Sequence, residues 1–260
     1  MSWPLEMLIG RHDLCVFALV LARLAGLLIG APMLIGLRVP LTVRALVVIA
    51  LALVIAPTQV AALPESPPNL MALALLVGAE LLVGLVLGLG VTVTIAGLQL
   101  AGSIVGQLSG MSLAEAFDPC FETEVPLLAQ FLTVLAIALF LLMGGHRLVI
   151  DGLLQSFAAM PPGEAVVDAR MIEALMTAVG DGFALAVRAA APAVAALLVA
   201  SVTLGALSRA LPQLSTMALG FGLNVFAALG GLWLSLGTIA YLFDEQLQAV
   251  LETMVSAMTS

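Results

Sequence analysis

Four ionisable residues lie inside long apolar stretches, and they are the first candidates for chemistry in this sequence. Arg23 lies in the first apolar stretch, Glu80 in the third, and Asp181 and Arg188 in the fifth. An ionisable group at bilayer depth costs at least about 2.5 to 3.5 kcal/mol on insertion scales, so each should face protein, water or a partner charge. Two roles follow: an ion or proton relay, or an ion pair between helices or between subunits. We favour the ion pair and expect these to be buried or intersubunit charges.

Local signatures of enzymes are missing from the sequence. His12 and His146 have no companions at metal-ligand spacing, and there is no HExxH, GxSxG, phosphate-loop or GxGxxG motif. Cys15 and Cys120 suit two unpaired small hydrophobic residues better than a disulfide or metal framework. We therefore expect neither enzyme activity, nor a metal, nor a cofactor.

Residues 97 to 126 combine a glycine-rich helix pattern with an acidic, proline-containing segment. The first half is uncharged, with glycines one helical turn apart at Gly102, Gly106 and Gly110. Such a glycine face lets another helix approach closely. The second half contains four acidic residues around Asp118 and Pro119, and charges with a proline cannot continue a lipid-facing helix. The pattern predicts that a membrane-type helix ends in an irregular acidic loop carrying three large apolar residues, Met111, Leu113 and Phe117.

The composition indicates a membrane protein. Of the 260 residues, 63% are hydrophobic and 9% are charged, whereas ordinary soluble domains carry roughly 25% charged residues. The net charge is −8, with eight arginines and no lysine. Without a basic patch to neutralise phosphates, we expect no nucleic-acid partner.

The elements that position these residues are expected to be helices throughout. Strand-type alternation is absent and the apolar runs are too long for barrel strands, so the sequence predicts an all-α fold with about six long apolar helices. The apolar segments run from Leu14 to Leu37, Ala45 to Leu63, Leu70 onward, Pro126 to Gly144, Ala174 to Leu207 and Leu214 to Phe243.

The third segment is too long for a bilayer. Its uncharged run from Leu81 to Ala114 would measure about 50 Å as a helix, against a hydrocarbon core of about 30 Å. We expect a break between Gly97 and Gly110. Gly84 and Gly88 have the small-xxx-small spacing of a helix-packing surface, and Gly102 shares that role or acts as a hinge.

The ordered set of helix junctions resembles one family along essentially the whole chain. The junctions are Arg23, Ala31-Pro32, Arg38-Val39-Pro40, Ala56-Pro57, Gly102 to Met111 leading to Phe117-Asp118-Pro119, Gly145-His146, Arg209-Ala210-Leu211-Pro212-Gln213-Leu214 and Gly220-Phe221. In this order they resemble the FliR family, the R-type membrane subunit of the flagellar type III export gate, whose virulence counterpart is SctT. The Phe117-Asp118-Pro119 and Pro212-Gln213-Leu214 contexts favour the flagellar system.

The resemblance implies a fold, partners and a plug. It implies a P-type subunit (residues 1–165) fused to a Q-type helical hairpin (residues 166–260) within one export-gate domain. It implies P- and Q-type partner subunits, the larger gate subunits, unfolded protein substrates, and a place in the bacterial inner membrane at the flagellar basal body. It also implies that a plug closes the channel, mapping onto Gly106, Gly110, Met111, Leu113, Phe117, Asp118 and Pro119, and that Arg209, Pro212 and Gln213 form the hairpin junction.

Three other functions stay open. The chain could be a secondary transporter with a broken-helix site near Gly97 to Gly110 and coupling carboxylates at Glu80 and Asp181. It could also belong to a virulence secretion gate, or be a passive assembly scaffold whose plug is only a linker.

Overall fold

The computed structural model describes residues 11–31, 40–60, 69–111, 126–210 and 216–259 of the chain. All regular structure in these ranges is helical, which confirms the all-α prediction. The helices are α1 (Arg11–Gly30), α2 (Leu41–Gln59), α3 (Leu70–Ser109), α4 (Leu127–Leu142), α5 (Gly145–Ala159), α6 (Ala169–Ala210) and α7 (Thr216–Thr259).

Five of these helices are long and apolar enough to cross a membrane, or six if the bent pair α4 and α5 is one span. This confirms the expected number of long apolar helices. Helices α3, α6 and α7 contain 40, 42 and 44 residues, and a 40-residue helix is about 60 Å long. Fitting that length into a hydrocarbon core of about 30 Å would need a tilt of about 60°, beyond the 0–40° range of membrane helices. Lipid alone therefore cannot surround these helices along their whole length.

The prediction that the third segment breaks between Gly97 and Gly110 is wrong for most of that range. Helix α3 continues through Gly97, Gly102 and Gly106 and ends only at Ser109, before Gly110 with its φ of 81°. A glycine inside a helix costs about 1 kcal/mol relative to alanine, and close packing offsets that cost here. A Cβ at Gly97 would lie 2.8 Å from the carbonyl oxygen of Gly182, and one at Gly102 would lie 2.6 Å from Cα of Ala129.

The chain divides into two compact units. The first comprises Met1–Val93, Gly144–Val179 and Gln248–Ser260, and the second comprises Thr94–Met143 and Gly180–Leu247. The division implied by the family resemblance, near residue 165, stays a prediction.

Within the first unit, α1 and α3 pack in parallel with their backbones in contact. A Cβ at Gly26 would overlap the carbonyl oxygen of Leu81, and one at Gly84 would overlap the carbonyl oxygen of Arg23. One turn later, a Cβ at Gly30 would lie 2.9 Å from the amide nitrogen of Leu89. Glycine on both helices is what permits this approach.

Within the second unit, small residues again set the helix spacing. Gly102 of α3 packs against Ala129 of α4, and Gly231 of α7 packs against Ala193 of α6, where an added Cβ would lie 2.6 Å from Cα of the alanine in each case. Ala129 and Ala193 are both fully buried. These contacts are the close packing that small residues support in membrane-type bundles.

Candidate functional site

The first candidate site is a buried ion pair between α1 and α3. The side chains of Arg23 and Glu80 are both completely buried, and Nε of Arg23 donates a hydrogen bond to Oε2 of Glu80 at 2.6 Å. The parallel glycine contact places them opposite each other, since Gly84 lies one turn after Glu80 and meets the backbone of Arg23. Charge-assisted hydrogen bonds of this kind are among the strongest in proteins.

The remaining donors of Arg23 bind the C-terminal end of α5. Nη1 donates to the carbonyl oxygen of Ser156 at 2.9 Å and to its hydroxyl at 3.2 Å, and Nη2 donates to the carbonyl oxygen of Met160 at 2.9 Å. The carbonyl oxygen of Ser156 already accepts a hydrogen bond from the amide of Met160 at 2.9 Å, so Arg23 adds a second donor there, at the negative dipole end of the helix. Arg23 therefore caps α5 from a neighbouring helix.

Glu80 and Phe157 complete the arrangement. Oε1 of Glu80 accepts a hydrogen bond from the amide of Gly163 at 2.9 Å. Gly163 ends the Pro161-Pro162-Gly163 turn after α5 and has a φ of 93°, which favours glycine. The ring of Phe157 lies under the guanidinium, with its centroid 4.2 Å from Cζ of Arg23, a cation–π distance.

These contacts form one unit, which we call the Arg23 clamp: Arg23, Glu80, Ser156, Phe157, Met160 and Gly163. It fastens α1, α3 and the end of α5 together within the first compact unit. Both carboxylate oxygens of Glu80 accept hydrogen bonds and neither ionic side chain is exposed. The geometry therefore fits an interhelix ion pair. Sequence reasoning singled out Arg23 and Glu80 but missed their α5 partners, because backbone carbonyl acceptors carry no sequence signature.

The second candidate site is the end of α3, where the implied plug begins. Ser109 is buried and its hydroxyl donates to the carbonyl oxygen of Gly106 at 3.0 Å. The amide of Gly110 donates to the carbonyl oxygen of Gln107 at 3.2 Å, and its positive φ ends the helix in the manner of a glycine C-cap. Met111 is half-buried.

The rest of the implied plug cannot be placed against this geometry. Leu113, Phe117, Asp118 and Pro119 lie outside the described residues. Gly106 makes only ordinary contact, with a Cβ there lying 3.7 Å from Pro126. Gly102 is the glycine of this series that packs most closely.

The other two apolar-segment charges are placed differently from Arg23 and Glu80. Asp181 and Arg188 are exposed on α6, and neither forms an ion pair within the described residues. Arg209 is exposed near the end of the same helix, while Pro212 and Gln213 lie outside the described part of the chain. No group of three or more His, Cys, Asp or Glu that could hold a metal occurs among the residues that the structure describes.

Comparison with known proteins places this architecture among bacterial export proteins. Residues 14–250 match the family model described as bacterial export proteins, family 1. The chain is 31% identical over 180 residues to the flagellar biosynthetic protein FliR of Pectobacterium carotovorum subsp. carotovorum, covering 69% of each chain. It is 30% identical over 183 residues to FliR of Bacillus subtilis (strain 168), covering 69% of this chain and 71% of the relative. It is 27% identical over 237 residues to FliR of Caulobacter vibrioides, covering 91% of this chain and 94% of the relative.

Proposed function

The chain belongs to the bacterial export proteins of family 1, and from that membership we propose that it is the R-type subunit of a flagellar type III export gate. The observation that carries the proposal is the match over residues 14–250, which spans all seven described helices at least in part. The relatives described above are flagellar proteins by name, which favours a flagellum over a virulence system.

In this proposal the chain is a non-enzymatic subunit that helps to form the channel for unfolded export substrates across the bacterial inner membrane. Helices α3, α6 and α7 support it, because they are too long for lipid alone and need protein neighbours. Those neighbours are P-type and Q-type subunits, together with the larger export-gate subunits. Residues 1–165 correspond to the P-like half and residues 166–260 to the Q-like hairpin.

The segment that follows α3 is the proposed plug. Gly110, with its positive φ, lies between the end of α3 at Ser109 and Met111. Apolar groups such as Met111, Leu113 and Phe117 would seal the closed channel by excluding water, as hydrophobic constrictions do in other channels. Displacement of this segment by substrate opens the path.

Two observations favour a gate over a secondary transporter. A transporter would use a broken helix at its binding site, but α3 is continuous from Leu70 to Ser109. A coupling carboxylate would need to bind and release an ion, but Glu80, one of the two candidates, has both oxygens engaged by Arg23 and Gly163.

Complementation and ion leak test the proposal. In a strain lacking its own R-type gene, the chain is expected to restore export of flagellar substrates. Deletion of residues 110–120 is expected to increase the leak of small ions through the assembled gate. An unchanged leak in a fully assembled gate would refute the plug role and favour the passive scaffold. Transport of a small solute by the purified chain, reconstituted alone, would favour the transporter.

A further inference from the structure

A cavity lies between the start of α1 and the end of α2, away from both candidate sites described above. Its volume is about 630 Å³, within the range of roughly 300 to 1,000 Å³ that is usual for small-ligand sites. The described residues that line it include Asp13, Leu14, Phe17, Leu53, Pro57 and Val60. We call this space the α1–α2 cavity.

The polar groups at the α1–α2 cavity are hydrogen-bond acceptors. Asp13 is the only ionisable residue among the described residues of the lining, and an ionised carboxylate accepts hydrogen bonds without donating any. Pro57 has no N–H, so the carbonyl oxygen of Leu53 loses the amide donor that a helix normally provides four residues on. The carbonyl oxygen of Val60 lies 3.0 Å from Nε2 of His12, which therefore donates to it. The cavity suits a ligand that combines an apolar body with N–H donors and a positive charge.

The α1–α2 cavity lies at the ends of two candidate membrane spans. The spans are His12–Gly30 in α1 and Leu41–Gln59 in α2, each of 19 residues. Such a helix rises about 28 Å, which matches a hydrocarbon core of about 30 Å. Asp13 is the second residue of its span, at headgroup level when that span crosses the bilayer, and Phe17 lies about 6 Å further along α1 towards the acyl chains. This position fits an amphiphile from the membrane.

Water alone does not satisfy both parts of the α1–α2 cavity. Water can hydrate the carboxylate of Asp13, but beside Leu14, Phe17 and Leu53 it lacks the polar partners that hold water in a cavity. An acyl chain fills that apolar part and removes its surface from water. A lipid can do this while its headgroup binds the carboxylate, so one molecule matches the whole cavity.

The acceptor groups select among lipid headgroups. An ethanolamine headgroup ends in a primary ammonium with three N–H donors, as a lysine side chain does. A choline headgroup carries the same charge without any N–H, and a glycerol headgroup has no cation to offset repulsion between the lipid phosphate and Asp13. Because charge-assisted hydrogen bonds are stronger than neutral ones, the ethanolamine lipid is expected to bind most tightly.

We propose that the α1–α2 cavity binds one ethanolamine phospholipid, with its ammonium group on the carboxylate of Asp13 and an acyl chain against Phe17 and Leu53. The lipid bridges the start of α1 and the end of α2, which the hydrogen bond from His12 to Val60 also joins. This inference requires only that α1 and α2 lie in a membrane, and it does not depend on the proposed export function.

Lipid retention by the unaltered full-length chain tests the choice of headgroup. The chain is purified in mild detergent, and native mass spectrometry counts the lipids that it keeps when ethanolamine, N-monomethyl, N,N-dimethyl and choline phospholipids with identical acyl chains are added in turn. This series keeps the positive charge and removes one N–H donor at each step. One lipid per chain is expected, with an affinity that falls at least about tenfold from ethanolamine to choline, the size of one lost charge-assisted hydrogen bond.

Asp13→Asn tests the carboxylate, because it removes the charge and keeps the size of the side chain. It is expected to lower the affinity for the ethanolamine lipid about tenfold and to narrow the preference for that lipid over the choline lipid. Asp181→Asn is the matched control, since Asp181 is an exposed aspartate outside the cavity. It is expected to leave the retention of every lipid unchanged.

Filling the α1–α2 cavity tests the place of the acyl chain. Leu53→Trp puts a larger side chain into the lining, whereas Val54→Trp puts it at the next position of α2, which is 72% exposed and is not part of the lining. Leu53→Trp is expected to reduce the retention of all four lipids, because it occupies the apolar part that they share. Val54→Trp is expected to leave retention unchanged.

Three outcomes overturn the lipid site. They are equal retention of all four lipids, which would indicate a lipid annulus without headgroup choice, retention of no lipid by the unaltered chain, and unchanged retention in both Asp13→Asn and Leu53→Trp. Because the headgroup series uses the unaltered chain, it decides the proposal even when a variant does not fold. Failure of the chain to restore flagellar export would refute only the proposed function.

Discussion

The Arg23 clamp shows how a single side chain can make three parts of an apolar fold depend on one another. Arg23, itself completely buried, contacts Glu80 of α3 and two carbonyl oxygens at the end of α5. A buried ion pair adds little net stability compared with a well-packed apolar replacement, but removal of one partner leaves a buried charge uncompensated. The clamp therefore makes the fold intolerant of change at either residue.

Removal of one clamp charge is predicted to destabilise the chain strongly. Glu80→Ala is expected to lower the free energy of unfolding by about 3 to 5 kcal/mol, because it leaves the guanidinium buried and unpaired. The measurement is denaturant unfolding in mild detergent. Asp181→Asn in the isolated chain is the control, since Asp181 is exposed, and it should change the stability by no more than about 0.5 kcal/mol. Equal effects of the two changes would contradict the clamp.

The contacts with α5 predict that lysine cannot replace Arg23. Lysine keeps the charge, but it presents a single ammonium group instead of a planar fork of donors. Arg23→Lys is expected to retain the pairing with Glu80 and to expose the end of α5, measured as faster amide hydrogen exchange around Ser156 and Met160. Wild-type exchange in that region would show that the bonds to the two carbonyls do not hold α5.

Among the elements, the parallel pair α1 and α3 depends on glycines that no residue with a side chain can replace. A Cβ at Gly84 would overlap the backbone of Arg23, whereas one at Gly78 of the same helix would meet nothing within 4 Å. Backbone cannot move aside as a flexible side chain can. A substitution at Gly84 therefore tests close packing, whereas the same substitution at Gly78 tests only helix propensity.

Alanine at these two positions should change stability in opposite directions. Gly84→Ala is expected to lower the free energy of unfolding by about 1 to 3 kcal/mol or more, as overpacking does. Gly78→Ala is expected to raise it by up to about 1 kcal/mol, because alanine is the better helix former. Thermal unfolding in detergent measures both, and a harmless Gly84→Ala would refute the close contact.

The end of α3 gives a second element-scale prediction. Gly110 has open space around it but a φ of 81°, so alanine there meets backbone strain without a clash. Gly110→Ala is expected to fray the last turn and speed hydrogen exchange at Gln107 and Ser109. Gly110→Asn, which tolerates this conformation better, should largely restore protection. Equal exchange in the two variants would show that the conformation of Gly110 does not set the helix end.

The helices themselves follow from the sequence more readily than their contacts do. Long apolar runs predicted an all-α membrane-type fold, and the spacing of Gly84 and Gly88 predicted a packing surface. The sequence also predicted a break in α3 that the structure places only at Gly110, because the cost of Gly97 and Gly102 in a helix is offset by neighbours distant in sequence. The sequence did not predict the α5 partners of Arg23, because two of them are backbone carbonyls, which any residue supplies.

At the scale of the whole molecule, the chain leaves much apolar surface uncovered. Leu142, Phe226, Trp233 and Leu234 are each at least 74% exposed. Exposed apolar patches on this scale mark contacts with lipid or with other proteins. Helices α3, α6 and α7 are too long for lipid alone, so we expect part of this apolar surface to contact other protein chains.

Partners are therefore predicted to stabilise the chain by mass action. Co-expression with the P- and Q-type subunits is expected to raise the amount of chain in the membrane and its unfolding temperature in mild detergent, because the partners bind only the folded state. Co-expression with an unrelated multi-pass membrane protein is the control. A chain that is equally abundant and equally stable with either would contradict a role in an obligate complex.

The Arg23 clamp also imposes an order on biosynthesis. Arg23 precedes Glu80 by 57 residues and its carbonyl acceptors by 133 and 137 residues. At about 5 to 20 residues per second, the first helix leaves the ribosome about 3 to 11 s before its counter-charge exists. During that interval Arg23 penalises release of α1 into lipid, so α1 should stay with the insertion machinery until α3 arrives. Helix α1 is therefore made before α3 but is expected to enter the bilayer only together with it.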